Sequence, residues 1–400
     1  MSTVGGTGWR TILVGGLRGG GRGLFALDVT DPSDFSESNA DKMVMWEFSS
    51  ADDNDLGYTY SRPTIALANN GRWVAIFGNG YNDTGDGEAK LFILDIEAGQ
   101  DGWQPGDYVE ISTQVGDSSN RNGLATPALA DIDGNGTVDR VYAGDLEGNM
   151  WAFDLSGNSS SSWDVAYSTS GSPAPLFTTQ ANQPITAKPV LAKHPTIPSQ
   201  SSPSNAPNLM VYFGTGQYLV ETDKSNTDTQ SFYGVWDRGD KNLDIGNLVE
   251  QTFDTSYTGR VLSRNFVDYS VKYGWRFDLP IAGERAVTSA VARADTVFFN
   301  TFIPVIDPCT VDGYGYKFAV DMVTGGSPKE TVIDVNRDGV INNDDNEDGE
   351  NGVIAAIRQD GYLPEPVFIE DLVFTGEVAT KIKKLPDVPT GRFSWQELIK

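Results

Sequence analysis

Residues 131 to 139 read DIDGNGTVD. Oxygen-bearing side chains stand at the first, third, fifth and ninth positions, as Asp131, Asp133, Asn135 and Asp139, with glycine at the fourth and sixth. Alternate side chains on a tightly turning loop can converge on one point, and glycine permits the turn. With the main-chain carbonyl of Thr137 at the seventh position, these groups approach the six to eight oxygens that calcium takes. Zinc and copper fit an all-oxygen set poorly, and magnesium demands a tighter octahedron.

The loop starts with the spacing of an EF-hand, which ends in a bidentate carboxylate at position twelve. Position twelve here is Tyr142, so Asp139 has to close the shell, helped by water or a neighbouring carbonyl. A loop closed at its ninth residue needs no helix after it and can run straight into the strand-like VYAGDLEGNMWAFDL. A second stretch, DVNRDGVINNDD, is a fuller match. It places Asp334, Asn336 and Asp338 at positions one, three and five, Gly339 at six, the Val340 carbonyl at seven, Asn342 at nine and Asp345 at twelve. It resembles the calcium loops of dockerin modules, which also end in Asp. Turns rich in Asp, Asn and Gly also occur without an ion; the glycine at position six and the extra oxygens at nine or twelve favour calcium at both stretches.

Other chemistries are thinly supplied. Cys309 is the only cysteine and His194 the only histidine. No disulfide can form within the chain, most catalytic zinc designs are excluded, and a Ser-His-Asp triad would hang on His194 alone. The formal net charge of -26 repels phosphate backbones and anionic lipid, so nucleic acid is not an expected partner. The same charge attracts divalent cations, and it suits a salty or extracellular setting equally well. No apolar run is long enough to span a bilayer, and the first residues lack the charged start and apolar core of a signal peptide. The chain starts almost on a strand pattern, which suggests the later portion of a longer secreted protein.

The elements that must hold the two loops are strands. The 44 Gly, 20 Pro and 11% aromatic residues suit many short strands joined by tight turns. Strand signals also recur in a fixed order: a strand, a glycine turn, then an aromatic strand ending in aspartate. The units are WRTILVGG with GLFALDV, ending at Asp28; SRPTIALANNGRWVAIFGNG with KLFILDI, ending at Asp95; and ATPALADIDGNGTVDRVYAGD with NMWAFDL, ending at Asp154. AKPVLAKHP, LMVYFGTG and FYGVWD come next, ending at Asp237, and a looser fifth unit ends at Asp321. Outer strands such as MVMWEFSS and DYVEISTQ complete four-stranded blades. An all-β, modified β-propeller of about five visible blades is expected over 1–400 as a single domain, with insertions near 156–183, 196–208, 241–284 and 326–352. A pair of β-sandwiches or an irregular solenoid is the rival. The repeating aspartates are expected to be structural, pinning turns through backbone N–H groups.

Two further stretches invite a binding role. Arg238-Gly239-Asp240 is the tripeptide read by integrins, but Asp237 beside it belongs to the repeat and a solvent turn explains it better. Tyr58, Tyr60 and Arg62 suit either a binding surface or edge strands packed on the next blade.

GWRTILVGGLRGGGRGLFALDVTDP, DLGYTYSRPTIA, DIDGNGTVDRVYAGDLEGNMWAFDL, FYGVWD and GRFSWQELI together resemble the C-terminal domain of PilY1-type proteins, the tip-associated proteins of bacterial type IV pili. The resemblance implies a modified seven-bladed propeller that binds calcium and regulates pilus extension, retraction and surface attachment. Its calcium residues would fall on Asp131, Asp133, Asn135, the Thr137 carbonyl and Asp139. It also implies a place at the cell surface, at the pilus tip or outer membrane, with pilins and host or abiotic surfaces as partners, and no enzymatic role. Five units against seven suggest that early blades lie outside this chain. Two other functions remain open: a quinoprotein-like dehydrogenase, for which Trp73, Trp103 and Trp151 would have to converge with a carboxylate and cations, and a carbohydrate-binding propeller. If calcium binds only the folded state, it stabilises the protein.

Overall fold

The computed structural model describes residues 9–197, 206–305, 313–349, 352–376 and 378–383. Cys309 and the closing GRFSWQELI lie outside the described residues. Among those described, six sheets of three to five strands succeed one another along the chain. The first holds Ile12–Gly16, Gly23–Asp28 and Val44–Ser49; the second Thr64–Leu67, Trp73–Gly78, Glu88–Asp95 and Tyr108–Gly116. The third holds Ala128–Ala130, Arg140–Gly144, Asn149–Asp154 and Asp164–Val165. Val190–Lys193, Leu209–Gly214, Ser231–Asp237 and Gly274–Asp278 make the fourth, with Val249–Glu250 added parallel at its edge. Val291–Arg293, Thr296–Asn300, Tyr314–Asp321 and Ala356–Asp360 make the fifth.

Each repeat unit read from the sequence is one of these five sheets. Asp28, Asp95, Asp154, Asp237 and Asp321 all end a strand. Each accepts the backbone N–H two residues on, at 2.9 to 3.0 Å, from Thr30, Glu97, Ser156, Gly239 and Val323. The repeated aspartate therefore stops a strand by offering its carboxylate to the adjoining turn. Gly274–Asp278, from the stretch expected as an insertion at 241–284, pairs with Ser231–Asp237 as an outer strand of the fourth sheet.

The sixth sheet, of Val367–Ile369, Leu372–Thr375 and Val378–Lys381, is one the repeat did not reveal. Its strands are three or four residues long and its last ends in Lys381, so neither the long apolar run nor the terminal aspartate marks it.

The described residues gather into two compact units, 9–146 with 150–176, and 147–149 with 177–383. In the first unit the second sheet is buried on both faces. Val74, Ile76, Leu91 and Ile93 pack with Leu129, Val141, Trp151 and Phe153 of the third sheet, while Ala75, Phe77, Phe92 and Leu94 pack with Leu24, Trp46 and Phe48 of the first. Successive side chains of a strand point to opposite faces, so a sheet covered on both sides needs a continuous apolar run, and AKLFILDI supplies it. The fifth sheet repeats the pattern in the second unit. Val297, Phe299, Phe318 and Val320 meet Tyr212, Phe232, Trp275 and Phe277 of the fourth, whereas Phe298 and Ala319 meet Val332, Ile333, Val373 and Ile382 on the sixth-sheet side.

Candidate metal centre

Residues 131–139 connect the first two strands of the third sheet. Ala130 and Arg140 are register partners, and the Asp139 amide donates to the Ala130 carbonyl at 2.9 Å, so both ends of the loop are tied where the hairpin begins. Inside it the position-one carboxylate is the hub. Asp131, 2% exposed, accepts the amides of Gly134, Asn135 and Gly136 at 2.6, 3.2 and 2.8 Å. Asp133 accepts the Asn135 amide and Asn135 the Thr137 amide, a ladder of side-chain oxygens each holding the backbone two residues on. Gly134 and Gly136 carry φ of 79° and 91°, the left-handed backbone that lets the loop turn.

Asp139, 6% exposed, reaches back and accepts the amides of Ile132 and Asp133 at 2.7 and 3.4 Å. Its hydrogen bonds thus close the loop back on its second and third residues. Oxygens of Asp131, Asp133 and Asp139 lie within 4.8 Å of one another. Two oxygens bound to one calcium at about 2.4 Å each can be no more than about 4.8 Å apart, a limit that the three carboxylates meet pair by pair. Burial pushes the Asp139 carboxyl pKa up; the Asn69 and Ile132 hydrogen bonds oppose this and the Asp133 charge adds to it.

Asn69 was not legible as part of this site. It sits in the hairpin turn of the second sheet, where its side-chain amide donates to Asp139 at 3.0 Å and to the carbonyls of Val138 and Leu155, and its oxygen accepts from the Thr137 hydroxyl at 2.8 Å. The Val138 amide also donates to the Leu67 carbonyl. A side chain 70 positions away leaves no spacing signal; the one available cue was an amide residue in the NNG turn of the adjoining blade.

Residues 334–345 form the second loop, in the connection between Tyr314–Asp321 and Ala356–Asp360. The same ladder recurs, with Asn336 accepting the Asp338 amide and Asp338 the Val340 amide. Asp345, 1% exposed, closes the loop by accepting the Val335, Asn336 and Asn342 amides at 2.8, 3.2 and 3.1 Å. Asn342 caps the 3-10 turn Asn343–Asp345. Gly339 has a φ of 82° and donates its amide to Asp334 at 3.0 Å. The Val340 side chain is exposed, which suits a residue contributing only a carbonyl. Among the described residues, no three carboxylate oxygens converge here as they do in the first loop; the amide oxygens of Asn336 and Asn342 take two of the positions.

In the other acidic triad among the described residues, Asp53, Asp55 and Glu110, two members already meet a cation. The buried Lys90 ammonium lies 2.5 Å from Asp55, 2.7 Å from Asp86 and 3.0 Å from Glu110. Burial alone would lower its pKa, but these hydrogen bonds win and raise it. His194 faces Trp236 and Tyr269, and its Nδ1 accepts the Thr196 and Ile197 amides at 3.3 and 3.1 Å, which is no triad geometry. Arg238 and Asp240 bind each other at 3.2 Å, with the guanidinium over Tyr273 at 4.0 Å, so the tripeptide is folded on itself. Tyr58 and Tyr60 lie under Arg22 and Arg18 of the first sheet's loop, at 4.7 and 5.8 Å. Trp73 and Trp103 pack into the core between the first and second sheets and Trp151 into that between the second and third, so the three do not line one pocket.

Comparison with known proteins decides the lineage: the PilY1 beta-propeller domain family matches residues 2–265. The chain belongs to that family. It is 37% identical over 346 residues to the type IV pilus biogenesis factor PilY1 homolog of Xylella fastidiosa strain Temecula1, covering 80% of this chain and 22% of that protein. To the type IV pilus biogenesis factor PilY1 of Pseudomonas aeruginosa strain UCBPP-PA14 it is 34% identical over 409 residues, covering 88% of this chain and 33% of the other. The chain therefore spans a third or less of the length of these curated relatives. The crystal structure of the Pseudomonas aeruginosa PilY1 C-terminal domain matches with a TM-score of 0.76 and 30% identity, over 94% of this chain and 81% of that one. The all-β, modified-propeller reading of the sequence holds. No helix among the described residues is long and apolar enough to cross a membrane.

Proposed function

We propose that the chain is the calcium-binding propeller module of a type IV pilus biogenesis factor, acting at the cell surface through pilins and attachment surfaces and not through catalysis. The observation that carries the reading is the convergence of Asp131, Asp133 and Asp139 within 4.8 Å, in a chain whose curated relatives are named pilus biogenesis factors. Calcium held there supplies positive charge to three carboxylates, two of them buried. Asp131 organises the turn, Asn135 and the Thr137 carbonyl complete the oxygen set, and Asp139 links the loop to Asn69 on the second sheet. Ion occupancy thereby sets the order of one blade's loop and the surface it presents to pilins, which is how extension, retraction and attachment come to depend on calcium.

Two substitutions test this in the full-length protein of a pilus-bearing cell. Asp133→Asn alters an exposed ligand and leaves the core untouched; Asp139→Ala removes the closing carboxylate. Calcium binding to the purified protein and twitching of the cells should both fall in each variant. Normal twitching in cells whose variant no longer binds calcium would sink the regulatory role and leave the family assignment standing.

A further inference from the structure

We propose that residues 334–345 hold a second calcium ion, whose binding fastens the three-stranded sixth sheet to the fifth. This inference does not depend on the first loop or on the pilus role. It starts from Asp334, which is 5% exposed. Its Oδ2 accepts the Gly339 amide across the loop, so the carboxylate points into the loop's interior. Its Oδ1 is buried and has no hydrogen-bond partner among the described residues. A buried carboxylate oxygen left bare is strongly unfavourable, and structures keep such an atom where a ligand is to meet it.

By their spacing in the loop, the further oxygen bearers are Asn336, Asp338, the Val340 carbonyl, Asn342 and the buried Asp345. A hard cation with flexible coordination is the ligand that such a set takes, and calcium meets that description. Among the described residues the neighbouring Lys381 makes no ion pair with Asp334; its ammonium donates to the Gly339 carbonyl at 2.8 Å.

The backbone around Asp334 explains what the ion would do. The Asp334 amide donates to the Lys381 carbonyl at 3.0 Å, Ile333 pairs with Ile382, and the Lys383 amide donates to the Val332 carbonyl at 2.8 Å. The position-one ligand thus extends a bridge to the last strand of the sixth sheet, Val378–Lys381. Ile333 and Ile382 share a small apolar cluster with Val373 of the sixth sheet and Phe298 of the fifth. A sheet of three short strands has little core of its own, so a cation that rigidifies residues 334–345 holds the sixth sheet in place through this bridge.

The test is calorimetric titration of calcium chloride into the chelated chain, for wild type, Asp131→Asn, Asp334→Asn and Asp338→Asn. Hydrogen exchange of residues 367–383 is followed with and without calcium. Asp338 is exposed and its hydrogen bonds run within the loop, so its substitution leaves folding intact. The expected result is an event that survives Asp131→Asn, vanishes in Asp334→Asn and weakens about tenfold or more in Asp338→Asn. Calcium should slow exchange at Ile382 and Lys383 in wild type and Asp131→Asn, but not in Asp334→Asn. If all binding disappears in Asp131→Asn, or if Asp334→Asn and Asp338→Asn both titrate as wild type, the second site is overturned. An event kept in Asp131→Asn and lost in Asp334→Asn, with no other, supports this site and refutes the first.

Discussion

The two loops solve one problem with different endings. In both, a buried position-one aspartate accepts the amide of the position-six glycine, positions three and five each hold the amide two residues on, and a buried closing carboxylate accepts the amides of positions two and three. The closing residue is the ninth, Asp139, in one loop and the twelfth, Asp345, in the other. The backbone at the loop's exit sets that choice: Arg140–Gly144 begins at once as a strand, whereas Asp345 ends a 3-10 turn. The bracing differs as well. A side chain from another sheet, Asn69, supports the first loop; main-chain pairing with the sixth sheet supports the second.

The sharpest test of this equivalence is to remove the closing carboxylates. Asp139→Ala and Asp345→Ala each take the acceptor from two or three part-buried amides, a loss of roughly 2 to 3 kcal/mol in chelated protein. Each should also abolish calcium binding at its own loop alone. Denaturant unfolding in chelator, paired with calorimetry, measures both effects. A loss below about 1 kcal/mol for either would show that the shared hydrogen-bond pattern is not what holds that loop.

Acid should separate the units that carry the loops. His194, the chain's one histidine, lies in the unit of the second loop. Burial against Trp236 and Tyr269 lowers its pKa from 6.5 to about 4. As pH falls, the unfolded chain takes up that proton before the folded one does. The stabilisation is therefore full above pH 6.5 and is lost as pH falls towards 4, by up to about 3 kcal/mol. Unfolding measured across that window should show this loss in wild type and a flatter slope in His194→Gln. An unchanged slope would mean that carboxylates common to both units govern acid stability.

A smaller effect should distinguish the braces. Asn69→Ala removes the amide from Asp139 and the acceptor from Thr137, at a loss of about 2 kcal/mol in the first unit. A residue that orients a ligand typically affects metal affinity by about tenfold or more, so binding at the first loop should weaken that much while the second is unchanged. Equal weakening of both events would show that the loops are not independently supported.

The sequence carried the parts of this comparison that are local. Strand, turn and terminal aspartate lie within about thirty residues of each other, and the oxygen spacing of each loop within twelve, so five blades and both loops could be read directly. The parts that were hidden are non-local. Asn69 meets Asp139 only because the second and third sheets stack, and Lys381 meets Asp334 only because the sixth sheet docks. The sixth sheet itself escaped because its short strands end without the aspartate that punctuates the other five. That Asp334 keeps a bare oxygen is a matter of packing, which spacing does not encode.

Position four offers the finest contrast. The first loop has Gly134 there at φ 79°, and the second has Arg337 at φ 62°, a left-handed backbone that a side chain disfavours. Arg337→Gly relieves about 1 kcal/mol of that strain, but the greater freedom of glycine in the unfolded chain takes back a similar amount, so stability should hardly move. Calcium affinity is where the change should appear. Removing a guanidinium from a loop that carries Asp334, Asp338 and Asp345 should raise affinity roughly threefold at low ionic strength, and less in physiological salt, because screening weakens exposed charges first. The Arg337 charge also helps burial depress the Lys317 pKa to about 8, so that lysine should titrate slightly higher in the variant. A threefold gain that persists in salt would trace the effect to the backbone at position four and make Gly134 the reason the first loop's carboxylates converge. A gain that salt erases would trace it to charge, leaving the difference in convergence to Asn69.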